Sequence, residues 1–406
     1  MNSKTSVPSG SKTTLGFVDG DVIVGRNSIM EGTGKPPSLK VSGTVYCEGN
    51  NTLEGNVLAE NLEAEDNVTI HGDLEVENNV DVEDGRLEVY GNMTVRHVDV
   101  DEALYVSKSL TVEEVDIGGS LKVDGNVKAE DIDVGGSFKA IGEVRAERID
   151  VGGSASIESK VDITKLDAGG AARVCGGRIR EIDVGGSFES TSPLEFENID
   201  VGGTVRLAGK NKGEKIDVGG SFLAEGDLEF KEIDVGGKVE IVGSGEGAEM
   251  EVGGKVEIGG SLKLSGSLEV GGKVEVGGEV SAKSIEVGGV LRSRKATAED
   301  SIEVGGSIIT IEGATASFIE IGRRGEVRGP IKAAQVIIGK EAHVENICGG
   351  KVLLRSGAYA ENIYGENITI ESDCQISGEV QYTNELRMCE NVSLAKSPKK
   401  VDKLPL

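Results

Sequence analysis

Apolar residues alternate with polar ones in short triplets along most of the chain. Ile132-Asp-Val134, Phe138-Lys-Ala140, Val144-Arg-Ala146 and Ile149-Asp-Val151 each set two apolar side chains around a polar one. A period of two marks a strand with one buried face. Triplet starts are 6, 6 and 5 residues apart, so the phase returns after 17 residues. The next turn repeats the pattern with Ala155/Ile157, Val161/Ile163 and Leu166/Ala168. One coil is therefore three short strands and three corners.

A Gly-Gly pair tags one corner, at Gly118, Gly135, Gly152, Gly169, Gly185 and onward to Gly305, at intervals of 16 to 18 residues. Two glycines per unit exclude a helical repeat, since each costs about 1 kcal/mol inside a helix. The corner is expected to need positive φ or a close backbone approach. Untagged triplets extend upstream through Val68/Ile70 and Leu74/Val76, and downstream through Ile368/Ile370, Val380/Tyr382 and Leu386/Met388. The fold predicted is all-β, a three-sided β-solenoid (a parallel β-helix) of about twenty coils of ~17 residues. Its narrow interior is expected to leave little room for Trp or Phe. The division predicted is a flexible tail over residues 1–16, an irregular or capping start over 17–56, the solenoid over 57–390, and a flexible basic tail over 391–406. Breaks of register near 209–213, 243–247 and 292–299 read as outward loops.

Composition narrows the picture. Among 406 residues there are 61 Gly, no Trp and 3% aromatics, and glycine without a G-X-Y period excludes collagen. A net charge of −27 repels phosphate backbones, so no nucleic-acid partner is expected. Five scattered cysteines (Cys47, Cys175, Cys348, Cys374, Cys389) contain no C-x-x-C pair, which argues against a disulfide framework or a zinc site and for a reducing compartment. The chain shows neither a leader-like apolar run near its start nor any run of 18 apolar residues, so a cytoplasmic location is expected.

The run over residues 44–95, with the unit Leu53-Glu-Gly-Asn-Val57-Leu-Ala59, resembles the bactofilins, and so does the run over 361–394. Bactofilins are polymer-forming cytoskeletal proteins with a triangular β-helix, and their cores are usually much shorter than this chain. The resemblance implies a right-handed helix and a cytoskeletal filament grown end to end. Its partners would be further copies of the chain, with other cytoskeletal or envelope proteins beside them. It also implies a position near a membrane, although no segment here is identified to carry that contact.

The ends of a solenoid leave strand N–H and C=O groups unpaired. Polymer contacts are therefore sought at Leu53, Val57, Ile376, Val380, Leu386 and Met388, with Ser397-Pro398 and Pro405 as residues that blunt one end. The residue before each tagged corner's last apolar position is acidic: Asp116, Asp133, Asp150, Asp167, Asp183, Asp200, Asp217, Asp234, Glu251, Glu269, Glu286 and Glu303. Stacked at coil spacing, like charges ~4.8 Å apart repel by roughly 0.9 kcal/mol per pair even in water. The ladder is either a solvated face or a divalent-cation or partner face, with Asp133, Asp150, Asp167, Asp183, Asp200, Asp217 and Asp234 the metal candidates. Lys122, Lys139, Arg173 and Arg206 are expected to relieve it in part. No cofactor is expected. Left-handed β-helix acyltransferases share the hexapeptide-like spacing, but His71, His97 and His343 lack a recognisable nucleophile or base partner. The GGxGxD turns of a calcium β-roll and the outward Thr columns of an ice-binding face are also missing. No enzyme activity is expected.

Overall fold

The computed structural model describes residues 3–405. The outermost residues of the two expected tails, 1–2 and 406, lie outside the described residues. The fold is an all-β parallel solenoid of about 23 turns of about 17 residues. The chain divides into two units, residues 1–203 and 204–406, each built from the same coil.

In the first unit each strand pairs in parallel with the equivalent strand one coil later, with two other strands between them. Glu114–Ile117 pairs with Asp131–Val134, and Ser120–Val123 with Ser137–Ala140. Val127–Lys128 pairs with the first part of Val144–Val151. We call these the A, B and C strands of a coil. The second unit repeats them as Lys215–Val218 with Glu232–Val235, Ser221–Ala224 with Lys238–Ile241, and Leu228–Glu229 with Gly245–Gly247. Where corner residues stay extended the strands fuse. C and A are continuous in Val144–Val151, and B, C and A in Glu326–Ile338.

Alternation puts two apolar side chains of each strand inside, where they form columns at coil spacing. The first inward column of the B strands in the first unit runs Leu104, Leu121, Phe138, Ala155, Ala172 and Phe188. Phenylalanine is thus accommodated, contrary to the expectation from a narrow interior, because alanine fills the adjoining levels. In the second unit Phe230 is fitted the same way, since a Cβ on Gly247 would strike its ring. Burying such a side chain contributes about 1.5–3 kcal/mol.

The Gly-Gly corners owe their glycines to proximity. None of these tagged pairs has positive φ. A Cβ on Gly152 would run into the carbonyl oxygen of Gly135, one on Gly135 into that of Gly118, and one on Gly169 into that of Gly152. The corners hydrogen-bond to one another as strands do: the Gly152 N–H donates to the Val134 carbonyl (2.9 Å) and the Gly153 N–H to that of Gly136 (3.0 Å). Few backbone groups are left unpaired in consequence.

The solenoid reaches beyond the boundaries the sequence suggests. Lys4–Val7 pairs with Asp21–Val24, Lys12–Thr14 with Ile29–Glu31, and Phe17–Val18 with Ser38–Val41. Residues 4–56 are thus coils, not a tail and an irregular start. Two features hide them. Val22 pairs with Val45, a step of 23 residues that breaks the period. Polar residues also take inward places, where Asn51 Oδ1 accepts from the Ser28 N–H at 3.0 Å and Asn51 Nδ2 donates to the Gly49 carbonyl at 2.8 Å. At the other end, Ser393–Leu394 and Lys399–Lys400 are paired strands inside the expected tail. The three expected outward loops hold paired strands instead: Asn211–Lys212 and Gly245–Gly247 in register, and Lys295–Val304 with a shift of register between Ala298 and Ser301, the one place where the expected break survives as a bulge.

Candidate functional site

Register turns the middle residue of each A triplet into one outward column. In the first unit it runs Glu63, Asp81, Asp99, Asp116, Asp133, Asp150, Asp167, Asp183, Asp200 without a break. In the second it runs Asp217, Asp234, Glu251, Glu269, Glu286, Glu303, Glu320. All twelve expected carboxylates fall in these columns. Glu63, Asp81, Asp99 and Glu320 extend them and were missed because Gly-Gly does not follow them, although the triplet pattern marks each one.

Two carboxylates of the column, Asp99 and Asp133, have raised proton affinities. Partial burial pushes the Asp99 carboxyl up first, followed by the charges of Asp116, Asp81 and Asp101. Asp133 rises through burial and through Asp150 and Asp116, against Arg148. Relief comes from the neighbouring column of the same strands. Arg148 reaches Asp150 at 2.9 Å and Asp167 at 3.8 Å, and Lys165 reaches Asp167 at 3.1 Å. The four cations expected to help are engaged on the B side: Lys122 with Asp124 (3.2 Å), Lys139 with Glu158 (2.8 Å), Arg173 with Glu189 (3.6 Å) and Arg206 with Glu225. Among the described residues no three or more His, Cys, Asp or Glu side chains gather as a metal-holding group. The column is therefore a line of charge with no chelating cage along it.

The B strands of the second unit carry the opposite device. Lys238, Lys255 and Lys273 alternate with Glu240, Glu257 and Glu275: Lys238 meets Glu240 (2.7 Å) and Glu257, Lys255 meets Glu257 and Glu275 (3.3 Å), and Lys273 meets Glu275 (2.7 Å). Hydrogen bonds from Lys238 and Lys255 pull the Glu257 carboxyl down to about 2.

The histidines lie on outward columns. His71 stacks on Tyr90 (5.0 Å between rings), His343 on Tyr359 (5.5 Å), and His97 faces Glu114 at 3.5 Å. Cys47 is buried, which pushes its thiol up to about 12, whereas Cys389 is exposed and does not behave as a core residue. Among the described residues no helix is long and apolar enough to cross a membrane.

The expected polymer contacts separate into two groups. Leu53 and Val57 are each 1% exposed and lie in strands paired on both edges, so they are interior positions. Ile376 and Val380 are also buried, with Leu394 paired over Ile376. Leu386 and Met388 differ. Their strand pairs with Ile368 and Ile370 on one side, and among the described residues its 385–388 part has no partner on the other. Met388 occupies an inward place yet is 45% exposed. On the C side of the same end, Pro398 offers no N–H and Lys400 puts a charge on the inward column, and both blunt that edge. The matching edge at the chain's start is Lys4–Val7, which among the described residues is paired on one side only.

No protein-family profile matches the chain, and no curated protein is significantly similar to it.

Proposed function

We propose that this chain is a structural protein that assembles end to end into non-enzymatic cytoskeletal filaments or a scaffold. The observation that carries the reading is the pair of A strands, Lys4–Val7 and 385–388, that among the described residues are paired on one edge only, the second with Leu386 and Met388 on its inward column. An edge of this kind is a template for another strand, and a contact between unlike ends does not close on itself, so it grows an open filament. The bactofilin-like character of residues 44–95 supports the same reading and, with it, a cytoplasmic location. Electron microscopy of the purified protein tests it. Wild type should give long filaments of uniform width that survive a chelator. Leu386→Asp with Met388→Asp should give dispersed particles with unchanged β-sheet circular dichroism. Dispersed wild-type particles at every concentration would sink the proposal.

A second reading has one observation of its own. The upward shifts of Asp99 and Asp133 mark a face where added positive charge would be welcome, which suits a non-polymerising solenoid that binds a basic partner or divalent cations. Calcium-dependent thermal stabilisation of unassembled protein would favour it.

A further inference from the structure

We infer that the corner joining B and C strands beside His71 and Tyr90 is a docking site for a basic peptide segment of a partner protein. It lies in the first unit, on a different column from the acidic one, and needs no contact between copies.

The chain's longest departure from its period builds the site. Glu31 and Ser38 stand seven positions apart, while the residues they pair with, Glu54 and Asn56, stand two apart. The extra residues form a small hairpin on the corner. Thr33 and Ser38 exchange backbone hydrogen bonds (3.0 and 2.8 Å), and the Asn56 N–H donates to the Pro37 carbonyl (2.8 Å). Pro37 lies against Gly55, where a Cβ would strike its carbonyl oxygen. Between the hairpin and the next coils is a depression of about 410 Å³, lined by Glu31, Pro36, Pro37, Glu54, Gly55 and His71.

The lining suits a cation. His71 stands over Glu54 in register, and its ring stacks on Tyr90 (5.0 Å between centroids, 18° between planes). Tyr90 in turn meets Tyr105 edge-on at 5.7 Å. The chain has only six tyrosines and no Trp, so composition alone does not produce such a row. Both phenols donate to carboxylates, Tyr90 to Glu88 (2.9 Å) and Tyr105 to Asp124 (2.6 Å). These bonds fix the rings and polarise them in the sense that attracts positive charge. Tyr105 already shows the effect, since the Lys122 Nζ lies 4.6 Å from its ring centroid. His71 and Tyr90 are exposed, the latter at 43%, and are left to receive a cation from outside. Of the two carboxylates in the depression, Glu31 is paired with Lys12 at 2.6 Å. Glu54 makes no ion pair among the described residues. An arginine fits best, because its planar guanidinium stacks on rings and meets a carboxylate with two donors. Its aliphatic stem would lie along Pro36 and Pro37.

Isothermal titration calorimetry of the full chain at about 150 mM NaCl tests the site, where long-range attraction to the net charge is screened. The probe is a Gly-Pro-Arg-Pro-Arg-Gly peptide, with citrulline in place of arginine as the neutral control. The arginine peptide should bind and the citrulline peptide should not. Glu54→Gln should weaken binding about tenfold, the worth of a hydrogen bond to a charged group. Tyr90→Ala and His71→Ala should each weaken it about threefold. Asp150→Asn, the same change of charge on the acidic column, should leave it unchanged. Equal melting temperatures show that the variants are folded, and Glu54→Gln with His71→Ala carries the test if Tyr90→Ala does not fold. Absence of binding overturns the inference. So does equal weakening by Asp150→Asn and Glu54→Gln, which would mean attraction by net charge alone. Equal binding of the citrulline peptide, or binding of cellohexaose instead of the arginine peptide, would show that the rings take a neutral ligand and would overturn it too.

Discussion

Glu257 and Asp99 are both outward carboxylates on a solenoid column, and their neighbours give them opposite properties. Glu257 sits between Lys238 and Lys255 and is held at about 2, below its ordinary 4.5. A lowered carboxyl stabilises the fold above its unfolded value and loses that contribution as pH falls toward 2. Glu257→Gln should therefore lower stability at pH 7 by about 0.5–1 kcal/mol after solvent screening, with the deficit vanishing at low pH. Asp99 is raised above its ordinary 3.8 by burial and by Asp116, Asp81 and Asp101. Its ionised form costs stability at neutral pH, and that cost disappears as pH falls through its folded value. Asp99→Asn should accordingly gain about 0.5 kcal/mol at pH 7, and the gain should shrink on acidification. Denaturant melts of the two variants across pH check both signs, and parallel pH trends would refute the contrast. The acidic residues themselves were legible in the sequence. Their cation partners were not, because which cation meets which carboxylate depends on register: Arg148 and Lys165 serve the A column, while Lys122 and Lys139 turn to the B side.

The coil is the element the sequence declares most openly. Triplets at 6, 6 and 5 residues predict three strands per turn, and the pairing of Asp131–Val134 with Glu114–Ile117 bears that out. Its boundaries were hidden where the code changes: the step from Val22 to Val45 is too long, and Thr5, Thr13, Ser28 and Asn51 hold places that elsewhere are aliphatic. The Gly-Gly corner was legible as a corner, though not for its reason. Because the Gly152 Cα faces the Gly135 carbonyl, an added methyl must push two coils apart, while the backbone dihedral itself would tolerate alanine. Gly152→Ala should destabilise by about 1–3 kcal/mol, the range for overpacking a tight interior. Gly10, which has a left-handed φ of 69° and open space around its Cβ, should instead show only the smaller strain of that dihedral when replaced by alanine. A lower melting temperature for Gly152→Ala than for Gly10→Ala is the expected order, and the reverse would mean that the corner is set by φ after all.

At the scale of the whole molecule, a charge of −27 sets the conditions under which any contact between copies can form. Two approaching copies repel over a Debye length, which is about 30 Å at 0.01 M salt and about 8 Å at 0.15 M. The proposed contact itself depends little on salt, since it consists of strand hydrogen bonds and the apolar pairings of Leu386 and Met388. An ion pair at so exposed an end is worth no more than about 1 kcal/mol. Screening should therefore weaken the repulsion between copies that carry 70 carboxylates against 43 cations more than it weakens any such pair. Raising NaCl from about 10 mM to about 150 mM should shift protein from supernatant to pellet in a sedimentation assay and shorten the lag before filaments appear. If filaments dissolve instead as salt rises through that range, direct ion pairs rather than the apolar strand edge hold the copies together, and the role assigned to Leu386 and Met388 fails.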